Sequence, residues 1–227
     1  MGQYHLETFD RIPEEKRRLV LDAAAEEFAA GGFAAANINV IAANAGVSVG
    51  SIYKYFGSKE NCFLAVLEEG FGELELALSS AMKADRAPLE KIEAVLRLIP
   101  EHSRRKKSII RLYNELTGEG LTDSVREFCE RFEALSARAY SSLIREARAL
   151  GLASGDVDPE GFAFCMDNLF MMLQFSYSCD YFALRRRVYL GPEKADDDEF
   201  LVEQTLRFIR GALGLATDDA PAKRSGS

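Results

Sequence analysis

Histidine is nearly absent from this chain: His5 and His102 are the two in 227 residues. There is no G-x-S-x-G, no glycine-rich phosphate loop and no H-E-x-x-H, so hydrolytic, nucleotide-dependent and zinc-dependent catalysis have little to stand on. Glutamate-rich helices can hold paired metals, but the Glu-x-x-His pairs such sites use are missing. The four cysteines, Cys62, Cys129, Cys165 and Cys179, lack short C-x-x-C spacing, which fits a reducing cytoplasm better than a disulfide framework. No apolar run approaches the ~18–20 residues a membrane span requires. The opening MGQYHLETFDRI has neither the basic flank nor the apolar core of a secretory signal. The expectation is a non-enzyme of the cytoplasm with no cofactor, no metal and no membrane partner.

Positive charge is also scarce. The net charge is −8. Between Lys16 and Lys59 five basic residues face three acidic ones, so that segment is about +2 and leaves about −10 for the remainder. What the chain has in quantity is apolar residues, 48% with only six prolines, as a folded and mostly helical protein would.

The informative stretch is Asn37 to Lys59, NINVIAANAGVSVGSIYKYFGSK. Ile38, Ile41, Ala42 and Ala45 fall at i, i+3, i+4 and i+7, the apolar stripe of a short helix. Asn37 is its N-cap, and Gly46 ends it on a residue free to take positive φ. Ser48 then caps a second helix that carries Val49, Ile52 and Phe56 and stops at Gly57. Two short helices joined by a tight turn containing glycine make a helix-turn-helix. Its second member would present Gly50, Ser51, Tyr53, Lys54 and Tyr55 outward: small residues, hydroxyls and one cation, suited to a DNA groove flanked by phosphates. Tyr53 has a blander alternative, filling the small core against Phe33 and Phe56.

Asn37 to Phe63, preceded by an amphipathic helix ending in Gly31-Gly32-Phe33, resembles the DNA-binding domain of the TetR family of transcriptional regulators. The residues that carry the likeness are Gly32-Phe33, Ile41-Ala42, Ala45-Gly46-Val47-Ser48, Gly50, Tyr53, Phe56 and Ser58-Lys59-Glu60, over roughly the first quarter of the chain. The resemblance implies a homodimer on a double-stranded DNA operator, with DNA contacts from Asn37, Asn39, Ser48, Val49, Gly50, Ser51, Tyr53, Lys54, Tyr55 and Lys59. Two departures bear on base choice. Asn37 and Asn39 stand near positions usually held by threonine, and Val49 stands where many relatives have a Lys, Arg or Gln, so it can touch only a thymine methyl or the sugar-phosphate wall. Lys59 lies in the first turn of the following helix, where it opposes the helix dipole; the resemblance explains it as part of a phosphate grip. Lys16-Arg17-Arg18 reads equally as a solvated face or as a neighbour of the DNA backbone.

Around this stretch, residues 1–12 read as a loose arm in which Tyr4, His5 and Arg11 could reach DNA. A first helix begins near Pro13 and buries Val20, Ala23, Ala24 and Phe28. After Lys59 a long helix runs toward Met82. Further helices follow from Leu89 to Ile99, Lys107 to Leu116 (ended by Gly118 and Gly120), Thr122 to Leu150, Pro159 to about Tyr189, and Glu199 to Leu213. The fold class is therefore all-α: a three-helix helix-turn-helix head, residues 1–60, and a larger helical domain for effector binding and dimerisation, residues 61–215. A polar tail, 216–227, reads as disordered. Phe162 to Phe182 is apolar nearly all round and the last helix has two apolar stripes, which fits a four-helix dimer face built from the last two helices of each copy. The alternative is that they complete a monomeric core.

The resemblance implies an effector pocket in the second domain, and an apolar or aromatic small molecule suits the Met, Phe and Tyr content. Candidate pocket residues are His102, Tyr113, Phe132, Met166, Asn168 and Phe170, with Asp167 and Gln174 as further polar groups. Two rivals keep the head and change the control: a protein partner in place of a small molecule, or a thiol or metal sensor using Cys62, Cys129, Cys165 and Cys179, of which Cys165 and Cys179 lie fourteen residues apart near the same helix face.

Overall fold

This computed structural model describes residues 4–83, 85–116 and 122–214. Among them are eleven helices and no strand. The head holds α1 (Glu7–Asp10), α2 (Glu14–Ala35), α3 (Ile38–Asn44) and α4 (Val49–Phe56). The long α5 (Lys59–Lys83) leads into α6 (Pro88–Arg105), α7 (Lys107–Leu116), α8 (Asp123–Ala149), α9 (Pro159–Ser178), α10 (Asp180–Ala195) and α11 (Asp198–Ala212). Glycines 118 and 120 and the tail 216–227 lie outside the described residues.

Caps set most of the boundaries. The side chains of Thr122, Asp158 and Asp197 accept from the N–H groups of Val125, Gly161 and Phe200, which occupies donors that a helix start leaves open. The stretch expected as one helix from Pro159 to about Tyr189 is two, because Cys179 adopts extended backbone (φ −112°, ψ 130°) between them. Its thiol is buried with Ile110 and Phe175, and the Ser178 hydroxyl donates to the Ser103 carbonyl at 2.9 Å, so tertiary contacts stabilise the break.

Two large cores form. One lies among α6, α8, α9 and α11 and includes Leu96, Ile144, Met166, Phe170 and Ile209. The other starts in the head with Val20, Phe28, Ile41, Ile52 and Phe56 and continues without a gap through Leu64, Leu67 and Phe71 of α5 to Leu112 and Leu116 of α7 and Phe128 of α8. α5 and α7 meet where Gly70 has no side chain: a Cβ there would lie 2.5 Å from Ile109 Cγ2. The rear of the head thus rests on α7, and α7 also lines the cavity described next.

α9 is mostly a core helix. Ala163, Met166, Phe170 and Phe175 are buried against α6, α7, α8 and α10, although Phe164 and Met172 are exposed. Exposed apolar side chains gather instead on α10, where Tyr181, Leu184 and Val188 follow i, i+3, i+7 spacing and are exposed together with Tyr189.

Candidate nucleic-acid interface and ligand cavity

The helix-turn-helix forms as its spacing requires. Asn37 is extended, and its Oδ1 accepts from Asn39 N–H at 2.9 Å and from the Asn39 side chain at 3.0 Å. The turn closes with Val47 N–H donating to the Ala42 carbonyl at 2.9 Å, while Gly46 takes φ +60°, a conformation costly for any side chain with a Cβ. Ser48 Oγ accepts from Ser51 N–H at 3.1 Å and lies 2.8 Å from Ser51 Oγ. Ile52 and Phe56 are fully buried beneath α4. Above them Gly50 and Lys54 are exposed, and Tyr53 is 48% exposed, so Tyr53 does not fill the core.

Several expected contact residues have other employment. Val49 is half-buried against the head core, since at the first turn of α4 its side chain falls on the Ile52 side. Tyr55 is half-buried, its ring 5.5 Å from Phe9. The Lys59 ammonium donates to the Ala34 carbonyl at 3.1 Å and lies 5.1 Å from the Phe33 ring, where it satisfies a carbonyl at the end of α2. Lys16 behaves similarly, donating to the Ala45 and Gly46 carbonyls at 2.8 and 3.0 Å, so it braces the turn and is not simply solvated.

Residues 4–10 are no loose arm. Leu6 N–H donates to the Tyr55 carbonyl at 2.7 Å and the Thr8 hydroxyl donates to the Lys54 carbonyl, which occupies acceptors at the C-terminus of α4. Phe9 is buried 4.8 Å from the Phe56 ring. Tyr4 packs edge-on to Phe128 and its oxygen accepts from Arg131 of α8 at 2.8 Å. Residues 4–10 therefore tie the exposed helix to the second half of the chain. No hydrophobic period announces so short a segment.

Behind α7 lies a cavity of about 170 Å³, walled by α5, α6, α7, α8 and α9. Of the expected pocket residues His102, Tyr113, Phe132 and Phe170 line it, and Asp167 and Gln174 do as well. Met166 and Asn168 do not. Met166 faces the neighbouring core at 1% exposure, and the Asn168 amide donates to the Phe164 carbonyl one turn back on its own helix. Sequence reasoning missed Tyr140, buried and edge-on to Phe170 at 5.6 Å, because its place on the inner face of α8 becomes visible only once α9 is docked.

The cavity perturbs its titratable groups. Burial, and secondarily the Glu133 charge, pushes the Asp167 carboxyl up from 3.8 to about 6. Burial and then the Arg105 charge hold His102 below its usual value, so it is neutral at pH 7. The Tyr113 hydroxyl donates to Glu133 at 2.7 Å; burial and that bond raise its pKa. Burial raises the thiols of Cys62 (to about 12), Cys129 and Cys179, which disfavours thiolate chemistry. Cys165 is exposed, near the start of α9, whereas Cys179 is buried beyond its end, ~20 Å away by helical rise and far past disulfide reach. Among the described residues no group of three or more His, Cys, Asp or Glu could hold a metal, and no helix is long and apolar enough to cross a membrane.

Residues 20–66 match the family described as bacterial regulatory proteins, tetR family. The chain is 27% identical over 180 residues to the HTH-type transcriptional regulator YhgD of Bacillus subtilis, covering 78% of this chain and 92% of the relative. It is 36% identical over 103 residues to the HTH-type transcriptional regulator RutR of Escherichia coli, a match that spans 45% of this chain and 48% of RutR. Among solved structures, AibR in complex with isovaleryl coenzyme A and operator DNA aligns with a TM-score of 0.65 at 22% identity, over 85% of this chain and 97% of AibR. At that identity the likeness establishes the fold: a helix-turn-helix head on a larger helical domain.

Proposed function

We propose that this chain, which belongs to the TetR family of DNA-binding transcriptional regulators, is a repressor that grips a palindromic operator as a homodimer and lets go when a small molecule fills the cavity behind α7. The observation that carries the reading is the construction of α4. Ile52 and Phe56 hold it from beneath at full burial while Gly50, Tyr53 and Lys54 are left exposed on top. Residues 1–60 are the DNA-binding part in this reading, and 61–215 the part that takes the effector and the second copy.

Control follows from α7. Tyr113 lines the cavity, whereas Leu112 and Leu116 of the same helix belong to the core beneath the head. An effector that displaces Tyr113 acts on the seat of the head, and it shifts the spacing of two heads only as far as it binds one spacing better than the other. The cavity supports small-molecule control over control by a protein partner, and the separation of Cys165 from Cys179 weighs against a redox pair.

A gel-shift series tests the DNA reading. Tyr53→Ala and Lys54→Ala should each lower affinity by about tenfold across operator variants, and Lys54→Ala should also flatten the salt dependence by about one unit of slope. Asn39→Ala, at the exposed start of α3, should relax sequence preference instead. No change in all three variants counts against the assignment.

A further inference from the structure

The cavity wall is unevenly furnished. Asp167, Phe170, Met171 and Gln174 follow i, i+3, i+4, i+7 spacing along α9, and all face the cavity. Among the described residues the Asp167 carboxylate has no hydrogen bond and no ion pair. Gln174 Oε1 is buried without a partner. Across from them, Glu133 accepts one bond from Tyr113 at 2.7 Å and leaves its second oxygen open. Glu75 and Glu101 are further lining carboxylates, while among the described residues the one lining guanidinium, Arg105, is exposed on α6. This side of the cavity therefore carries acceptors and aromatic faces, and its donors, among them Ser136, Tyr140 and neutral His102, bring no charge to offset the carboxylates.

We propose that the effector is an organic cation, an ammonium group bearing an aromatic or branched aliphatic body, with its charge beside Asp167 and Glu133 and its body against Phe132, Tyr140 and Phe170. The assignment rests on the reading of this cavity as the effector site and narrows it to a ligand class. An ammonium supplies the positive charge the two carboxylates lack, and aromatic faces attract it through their quadrupoles. A carboxylate, phosphate or acyl-coenzyme A ligand would bring negative charge to Asp167 and Glu133, whereas the Arg105 guanidinium acts at the His102 side of the lining.

Calorimetric titration of the full chain with three probes of similar shape tests this: phenyltrimethylammonium, its uncharged isostere tert-butylbenzene, and benzoate. The cation should bind about tenfold tighter than the isostere, with benzoate weakest. In the Asp167→Asn/Glu133→Gln double variant, and partly in Asp167→Asn alone, cation and isostere should approach parity. Equal or tighter binding of tert-butylbenzene or benzoate by the unaltered protein overturns the cation assignment and leaves the cavity as a ligand site. Cation binding that survives both substitutions overturns it too, since the charge then sits elsewhere. Heat from none of the three, with operator binding intact, overturns both the ligand class and the effector site.

Discussion

Replacing Leu184 and Val188 with glutamate should leave the protein monomeric and remove most of its affinity for an operator. In the isolated protomer these residues are 61% and 73% exposed, with Tyr181 and Tyr189 beside them at 67% and 71%, and Phe208 of α11 is 64% exposed. So much large apolar surface concentrated on one helix marks an association face. A partner copy would bury it for roughly 25 cal/mol per Å², and two carboxylates placed in that contact must lose their hydration, a cost that neighbouring Arg185, set over the Tyr189 ring, offsets only in part. The association constant should fall by at least about a hundredfold on that basis, read as a halved mass in sedimentation velocity. Because both positions are exposed in the protomer, circular dichroism should show an unchanged helix content. A monomer presents one α4 to DNA, so affinity for a two-half-site operator should fall in parallel. An unchanged sedimentation coefficient would sink the α10 face as the dimer contact.

Asp167→Asn should make the protein more stable at pH 7.5, by about 2 kcal/mol, discounting a shift of roughly two units for partial exposure. The sign follows from the raised carboxyl. In the unfolded chain it titrates at the ordinary 3.8, and in the fold at about 6, because burial and the Glu133 charge disfavour the ionised form. The folded state therefore holds the proton more tightly. The stability this confers is complete below pH 3.8 and is lost as pH rises through 6. Tyr113 and Tyr140 line the same cavity with raised pKa values and stay neutral in that window, while His102, held below its ordinary value, is common to both proteins, so the difference between variant and parent isolates Asp167. Asparagine keeps the shape and removes the charge, so urea unfolding at pH 4, 5 and 7.5 should show the variant's advantage growing from near zero to its full value. A gain that is already complete at pH 4 would contradict the account.

Local chemistry made the helix-turn-helix legible. Asn37 and Ser48 are caps, Gly46 is a turn residue, and Ile41, Ala42 and Ile52 follow helical spacing; each signal needs only its near neighbours in sequence. The same held for the starts of α2, α9 and α11. What could not be read depends on distant partners. The carbonyls that Lys16 and Lys59 meet could not be read, because nothing in the sequence shows where a long side chain will end. Val49 and Tyr55 lie at the edge of the α4 stripe, where a few degrees of rotation decide between groove and core. In α9, too apolar to show a buried side, Asp167 and Phe170 turned toward the cavity while Met166 and Asn168 did not. The break at Cys179 leaves no glycine or proline as a marker, since it is held from across the fold by Ser103.

The unbroken apolar seam from Phe28 through Leu67 to Leu112, Leu116 and Phe128 also limits how this regulator can be re-engineered. A chimera cut at residue 60 would seat a foreign reading head on an underside shaped for another, with Ile109 and Leu112 meeting strangers. The productive graft exchanges only the outward residues of α3 and α4, leaving every side chain of the seam native.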